Sequence, residues 1–190
     1  MKVSQYGVDF IKSFEGLKLK AYKAHKSEKY YTIGYGHYGK DVKPDMVITE
    51  KQAAILLVAD LRNAEIAVNK YTNKYIFNQH EFDALVSFTF NCGSGNLDHL
   101  LNKGKRSKKE IAEKILLYNK CNGTVLNGLT KRRKKESELF LAPYISMEDI
   151  AKEVIEGKWG NGDERKKRLA DAGYDYATIQ AIVNLLLRRK

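Results

Sequence analysis

The chain is poor in most of what would set it apart from an ordinary globular domain. Cysteine occurs only twice in 190 residues, at Cys92 and Cys121. Two are too few for a disulfide framework and form no CxxC pair, so both are expected as free thiols in a reducing compartment. Proline also occurs only twice, against a hydrophobic content of 43%, which excludes a disordered or linker-like protein. No run approaches the roughly 18 apolar residues of a transmembrane helix, so membrane insertion is not expected. Met1 to Asp9 lack the positive start and apolar centre of a signal peptide. The expectation is synthesis and retention in a cytoplasm until something else releases the protein. His, Cys and acidic residues never cluster at metal-ligand spacing, and no glycine-rich loop suits a phosphate, so neither metal nor cofactor is expected.

Positive charge is what the chain has in excess. The formal net charge is +11. Residues 143–190 hold nine Lys and Arg against eight Asp and Glu, leaving twenty-five against fifteen in residues 1–142. Two clusters stand out, Lys103, Lys105, Arg106, Lys108 and Lys109, and the run Lys131 to Lys135. A basic surface calls for an anionic partner, either nucleic acid or the polyanionic bacterial wall. The nucleic-acid reading rests on charge alone, since no RNP, zinc or helix-turn-helix pattern is present. Lysine runs also serve simply as solvated faces, and for the first cluster that reading weighs equally.

Taken in order, Val8, Ile11 and Phe14 recur at helical spacing behind Ser4, a cap candidate, which predicts a helix over 4–14 with Glu15 in its last turn. Leu17, Leu19 and Ala21 alternate with Lys18, Lys20 and Tyr22, a strand pattern. Tyr30 to Tyr35 reads as a second strand running into Gly34 and Gly36. Thr49 with Gln52, Asn78 with Glu81 and Ser107 with Glu110 are capping boxes opening three further helices. The second, apolar all round through Phe82, Leu85, Phe88 and Phe90, should be buried. Ser94-Gly95-Asn96 reads as a loop, and Gly128 leads into a basic helix ending near Leu141. After the break at Ala142-Pro143-Tyr144, Ser146, Asp163 and Asp175 each can cap a short helix, with Gly157 and Gly173 as stops. The expected fold is α+β: a mostly helical domain over 1–142 with a small β-sheet, then a three-helix bundle over 146–190.

Four ordered segments carry a resemblance. Phe14-Glu15-Gly16 with Leu17 to Tyr22, Thr32-Ile33-Gly34-Tyr35-Gly36-His37, Phe88 to Gly95, and Gly128-Leu129 with Arg132-Arg133 and Glu136 together resemble the phage-type (T4-like) lysozymes. Glu156 to Leu169 and Ala172 to Tyr176 resemble one CW_7 (Cpl-7-type) repeat, a peptidoglycan-binding three-helix module. The resemblance implies a lysozyme-like endolysin that cuts the β-1,4 bond between MurNAc and GlcNAc of bacterial peptidoglycan, with anionic wall polymers as further partners. A monomer is expected, released from the host cytoplasm by a factor such as a holin.

Glycosidic cleavage needs a proton on the leaving oxygen and help at the anomeric carbon. Glu15 is the acid by position and resemblance, and its apolar neighbours would favour the protonated form. An arginine at Arg132 or Arg133 could pair with it and oppose that effect. Thr32 matches the family's catalytic threonine and can hold the attacking water. The family's Asp after the Tyr-Lys of the first strand is Ala24 here, which leaves His25 or Glu28 to act as base, or neither. His37 ends the motif and helps shape the cleft, more as a structural histidine than a reacting one. Trp159, Asp163, Arg165 and Arg168 are candidate ligand contacts of the small module, against a plain core and capping role. Without the Asp, a lytic transglycosylase forming anhydro-MurNAc ends stays open as the mechanistic alternative.

Overall fold

Ser4 opens the first helix as the residue pattern predicts. Its hydroxyl accepts from the Gly7 amide, and helix α1 spans Gln5–Lys12. The computed structural model describes residues 1–23, 25–172 and 174–188. They divide into two compact units, Met1–Ala142 and Pro143–Lys190.

In the first unit, strands β1 (Lys18–Tyr22), β2 (Tyr31–Gly34) and β3 (His37–Gly39) form an antiparallel sheet in that order. Lys18 pairs with Gly34 and Tyr22 with Thr32, so β1 carries a register shift between those two pairs. The third strand was not foreseen. It follows from Gly34 and Gly36, both at positive φ, a region where glycine meets no Cβ penalty.

The three capping boxes all form, ahead of helices α2 (Glu50–Asn69), α3 (Gln79–Cys92) and, farther on, α5 (Lys108–Ile115). Every residue of α3 from Glu81 to Thr89 is buried, as its all-round apolar pattern requires. The Ser94-Gly95-Asn96 segment is not a loop: it begins helix α4 (Ser94–Leu100). No side chain caps that helix; Leu97 and Leu100, both fully buried, hold it to the core. A two-stranded hairpin, β4 (Lys120–Cys121) and β5 (Thr124–Val125), precedes helix α6 (Asn127–Leu141). Its turn is Asn122-Gly123, both at positive φ, the sequence preference of a tight hairpin. Helix α6 packs on α3 and α5, which sets its buried face against the centre of the core.

In the second unit, Ser146 caps helix α7 (Met147–Ile155) and Asp175 caps helix α9 (Tyr176–Arg188) through the Thr178 amide at 2.7 Å. Between them lies α8 (Gly162–Asp171). Asp163 is not its cap: Asn161 holds that position, and Asp163 stands one residue inside the first turn. Gly157 follows α7 at φ +80°, and Gly173 lies outside the described residues. Ile150, Val154, Leu169, Ile179 and Val183 form the core of this bundle.

Candidate active site

Glu15 does not sit in the last turn of a helix. Helix α1 ends at Lys12, and the Phe14 and Glu15 amides continue the turn onto the carbonyls of Ile11 and Lys12 at 3.0 and 3.2 Å. Gly16 then releases the chain into β1. This short turn presents the Glu15 carboxylate to solvent, with 23% of its side chain exposed.

Of the two surroundings open to Glu15, apolar neighbours and an arginine partner, the structure supplies the arginine. Arg132 Nη1 donates to Glu15 Oε1 at 2.7 Å, and the arginine is itself only 5% exposed. Its guanidinium lies over the Phe14 ring, 5.2 Å from the centroid, and Phe14 meets Phe10 edge-on. These contacts hold Arg132 from the sides. From below, Arg132 Nε donates to Glu136 Oε1 at 3.0 Å.

Glu136 is fully buried. It also accepts from Ser87 Oγ at 2.7 Å and from Arg133 Nη2 at 3.2 Å. Arg133 Nε lies 2.9 Å from Glu136 Oε2, but the N–H points off the line between them, so that contact is an ion pair without an aligned hydrogen bond. Burial pushes the Glu136 carboxyl up, although the charges of Arg133 and Arg132 and the bonds from Ser87 and Arg132 pull the other way. Arg133 has no exposed surface and bonds Asn91 Oδ1 at 2.9 Å and Cys92 Sγ at 2.6 Å. It therefore supports the site from beneath and cannot touch a ligand arriving from solvent. Helices α3 and α6 thus meet through a buried charge cluster whose one outward arm is Arg132.

Thr32 lies on β2, 9% exposed, opposite Tyr22 on one neighbouring strand and Tyr38 on the other. The Lys18–Gly34 pairing sets the start of β1, three residues after Glu15, beside the end of β2, two residues after Thr32. His25 and Glu28 occupy the β1–β2 connection, and the Glu28 amide donates to the His25 carbonyl at 3.1 Å. His25 is exposed and Glu28 half-buried. Among the described residues the ion pair made by Glu15 is with Arg132. Ala24 lies outside the described residues.

His37 is clamped between two carboxylates. Its Nδ1 is 2.9 Å from both oxygens of Asp60 on α2, and its Nε2 is 2.8 Å from Asp41 Oδ2. Burial pulls the imidazole down, but the hydrogen bonds and charges of Asp41 and Asp60 outweigh it and the pKa ends above its ordinary value. The same contact holds Asp41 below the usual carboxylate range. With both ring nitrogens engaged, His37 ties β3 to α2.

In the second unit, Trp159 Nε1 donates to Glu153 Oε2 at 2.9 Å, and the indole stands edge-on to Tyr174 beside the bundle core. Arg165 folds back on its own chain, onto the Gly160 carbonyl at 3.0 Å and Asn161 Oδ1 at 2.9 Å. Arg168 is exposed, 3.7 Å from Glu164. Asp163 is 99% exposed, with Lys166 at 3.3 Å.

Ser87, Asn91, Glu136, Asp41 and Asp60 had no role assigned from sequence. Glu136 was visible, four residues beyond Arg132 in the same motif. Asp60 carried no local signal, being 23 residues from its histidine. Two cavities, of about 370 and 200 Å³, flank α2, and neither is lined by Glu15, Thr32 or Arg132. Among the described residues no group of three or more His, Cys, Asp or Glu side chains is placed to hold a metal ion. Nor is any helix long and apolar enough to cross a membrane.

The phage lysozyme family matches residues 12–136, and the CW_7 repeat matches residues 148–187. An endolysin of Bacillus phage B103 is 50% identical over 146 residues, covering 74% of this chain and 54% of that protein. The chain thus spans about half the length of that relative. Among solved structures, the muramidase domain of SpmX from Asticaccaulis excentricus is 35% identical, with a TM-score of 0.67 over 75% of this chain and 99% of that one. The endolysin from Escherichia coli O157:H7 phage FAHEc1 is 38% identical, with a TM-score of 0.62 over 77% and 98%. Glu15, Thr32, His37, Arg132 and Glu136 all fall inside the matched span, and the second unit contains the repeat. The chain belongs to the phage lysozyme family and carries one CW_7 repeat after the lysozyme domain.

Proposed function

We propose that residues 1–142 form a catalytic domain that hydrolyses the β-1,4 bond between MurNAc and GlcNAc in bacterial peptidoglycan, and that residues 146–190 bind the wall. The observation that carries this reading is the Glu15 carboxyl, turned to solvent between α1 and β1 and gripped through one oxygen by Arg132 at 2.7 Å. The other oxygen, Oε2, is the one that protonates the leaving glycosidic oxygen. Arg132 keeps the carboxyl in one rotamer, which converts loose encounter into a set geometry. Thr32 positions the attacking water, while His25 or Glu28 is the remaining candidate for deprotonating it. Inversion requires that water on the face opposite the acid, with carboxyl groups roughly 6.5–9.5 Å apart where two are used.

Ala24 in place of the family's Asp favours one second reading. With no second protein base, Glu15 protonates the leaving oxygen and its carboxylate then takes the proton of the substrate's own hydroxyl as that oxygen bonds to the anomeric carbon, and the product is an anhydro-MurNAc end. Analysis of product ends by borohydride reduction and mass spectrometry decides between them. Reducing MurNAc ends support the muramidase and anhydro-MurNAc ends the transglycosylase. Intact glycan after incubation with the folded protein would reject both.

A further inference from the structure

The larger cavity lies away from Glu15, where the end of α2 meets α4 and the turn after it. Lys70, Lys74 and Lys103 line it, together with Ser94, Tyr71 and Asp98. Among the described residues none of the three lysines is in an ion pair, although Lys12, Lys108 and Lys135 elsewhere in the same unit are. Asp98, the one acid in the lining, accepts the Tyr71 hydroxyl at 2.7 Å. The lining therefore keeps a net charge of +2.

The arrangement is built rather than fluid. Asn102, Lys103 and Gly104 all take positive φ, and that turn lays the Lys103 carbonyl 2.8 Å from Lys74 Nζ. A Cβ on Gly104 would strike the Lys74 side chain, so glycine there lets the lysine stem lie flat against the turn. Ser94 also lines the second cavity, which reaches Asp60, the partner of His37.

We propose that this cavity binds a phosphodiester of an anionic wall polymer, one polyol-phosphate repeat at a time. A volume of about 370 Å³ is at the small end of ligand sites and exceeds what a lone ion needs. Lysine binds phosphate as a compact point charge that needs no planar match, and no arginine lines the cavity to offer a fork to a carboxylate or a phosphate. A nucleic acid would need an aromatic face for its bases. Tyr71, the one aromatic in the lining, is buried and its hydroxyl is spent on Asp98. The proposal rests on the assigned function only for the source of the polymer; the binding chemistry stands without it.

The test uses the full chain and soluble poly(glycerol phosphate), titrated by calorimetry at physiological salt. A triple variant, Lys70→Gln with Lys74→Gln and Lys103→Gln, is compared with an equal-charge control, Lys2→Gln with Lys109→Gln and Lys134→Gln. The expected result is a loss of about tenfold or more in affinity for the first and less than about twofold for the second, since contact charges act locally once salt screens the rest. Polyglutamate and oligothymidylate should bind the wild type about tenfold more weakly than the phosphate polymer. Should the triple variant misfold, Lys70→Gln alone must still weaken binding about threefold. Equal losses in both triples, equal binding of polyglutamate or oligothymidylate, or no binding by the wild type would overturn the proposal. Cleavage of phosphate-free peptidoglycan by the Lys70 variants should match the wild type. A wild type that binds the polymer but cleaves no glycan would fail the catalytic reading and leave this one intact.

Discussion

Replacing Arg133 with methionine removes a charge that no solvent can replace. Methionine keeps the packing against Phe88, whose ring lies 5.1 Å from the guanidinium, but leaves Glu136 with Arg132 and Ser87 as its remaining partners. Breaking a buried pair by deleting one side typically costs 3–5 kcal/mol. Two surviving partners place this case near the lower end, about 3 kcal/mol, or a fall in Tm of roughly 6–12 °C for a unit of this size. Urea unfolding followed by far-UV circular dichroism should show a lower midpoint with an unchanged slope. The chain supplies its own control, because its single tryptophan, Trp159, belongs to the second unit. The transition seen by Trp159 fluorescence should not move. Adding Glu136→Leu to Arg133→Met should recover part of the loss, since the buried carboxylate is gone and Arg132, though it loses its bond to Glu136, keeps Glu15 as partner. A loss under about 1 kcal/mol for Arg133→Met, or an equal shift of the Trp159 transition, would refute the account of this cluster.

Asp60→Asn should make stability lose part of its dependence on pH. The folded-state pKa of His37 lies above 6.5, so the clamp's contribution is complete below pH 6.5 and fades as pH rises through the folded value. The gap between variant and wild type, read from unfolding midpoints, should be widest below pH 6.5 and should narrow as pH rises through the raised folded-state value. Leu169→Ala opens a cavity in the small bundle at a cost of about 2–5 kcal/mol, enough to unfold so small a core. Retention on sedimented cell walls should fall while cleavage of soluble glycan fragments continues. Thr32→Ala should lower kcat on purified peptidoglycan about 10²-fold or more, and at most one of His25→Ala and Glu28→Gln should approach that loss. Near-full activity in the His25 and Glu28 variants and in their double would leave no protein base in the reaction.

What could be read in advance was what is local. Ser4, Thr49, Asn78, Ser107 and Ser146 announce helix starts because cap and capped amide lie within three residues of each other. The Asn122-Gly123 turn was equally local, and its hairpin could have been foretold. Helix α4 could not: it has seven residues, a glycine and no side-chain cap, and exists because Leu97 and Leu100 find a core. Family resemblance named Glu15, Thr32 and the Arg132-Arg133 pair and left open that either arginine pairs with Glu15, but across 117 positions no periodicity says that the partner is Arg132. For the same reason the apolar neighbours of Glu15 misled. Ile11 points into the core, and Phe14 serves as a platform for the guanidinium rather than a wall around the acid. In the second unit, the helix start expected at Asp163 lies two residues earlier, at Asn161, the usual error when Asn161, Gly162 and Asp163 all suit a helix start.

The claim on which the catalytic reading depends is that Glu15 donates the proton. The decisive measurement is turnover of purified peptidoglycan by Glu15→Gln, with circular dichroism and the unfolding midpoint recorded on the same preparation. The variant keeps the shape and can still accept a hydrogen bond from Arg132, yet has no acidic proton to give. The account predicts a folded protein with product ends reduced at least about 10³-fold relative to wild type. A folded Glu15→Gln protein that releases product at more than about a tenth of the wild-type rate would contradict it.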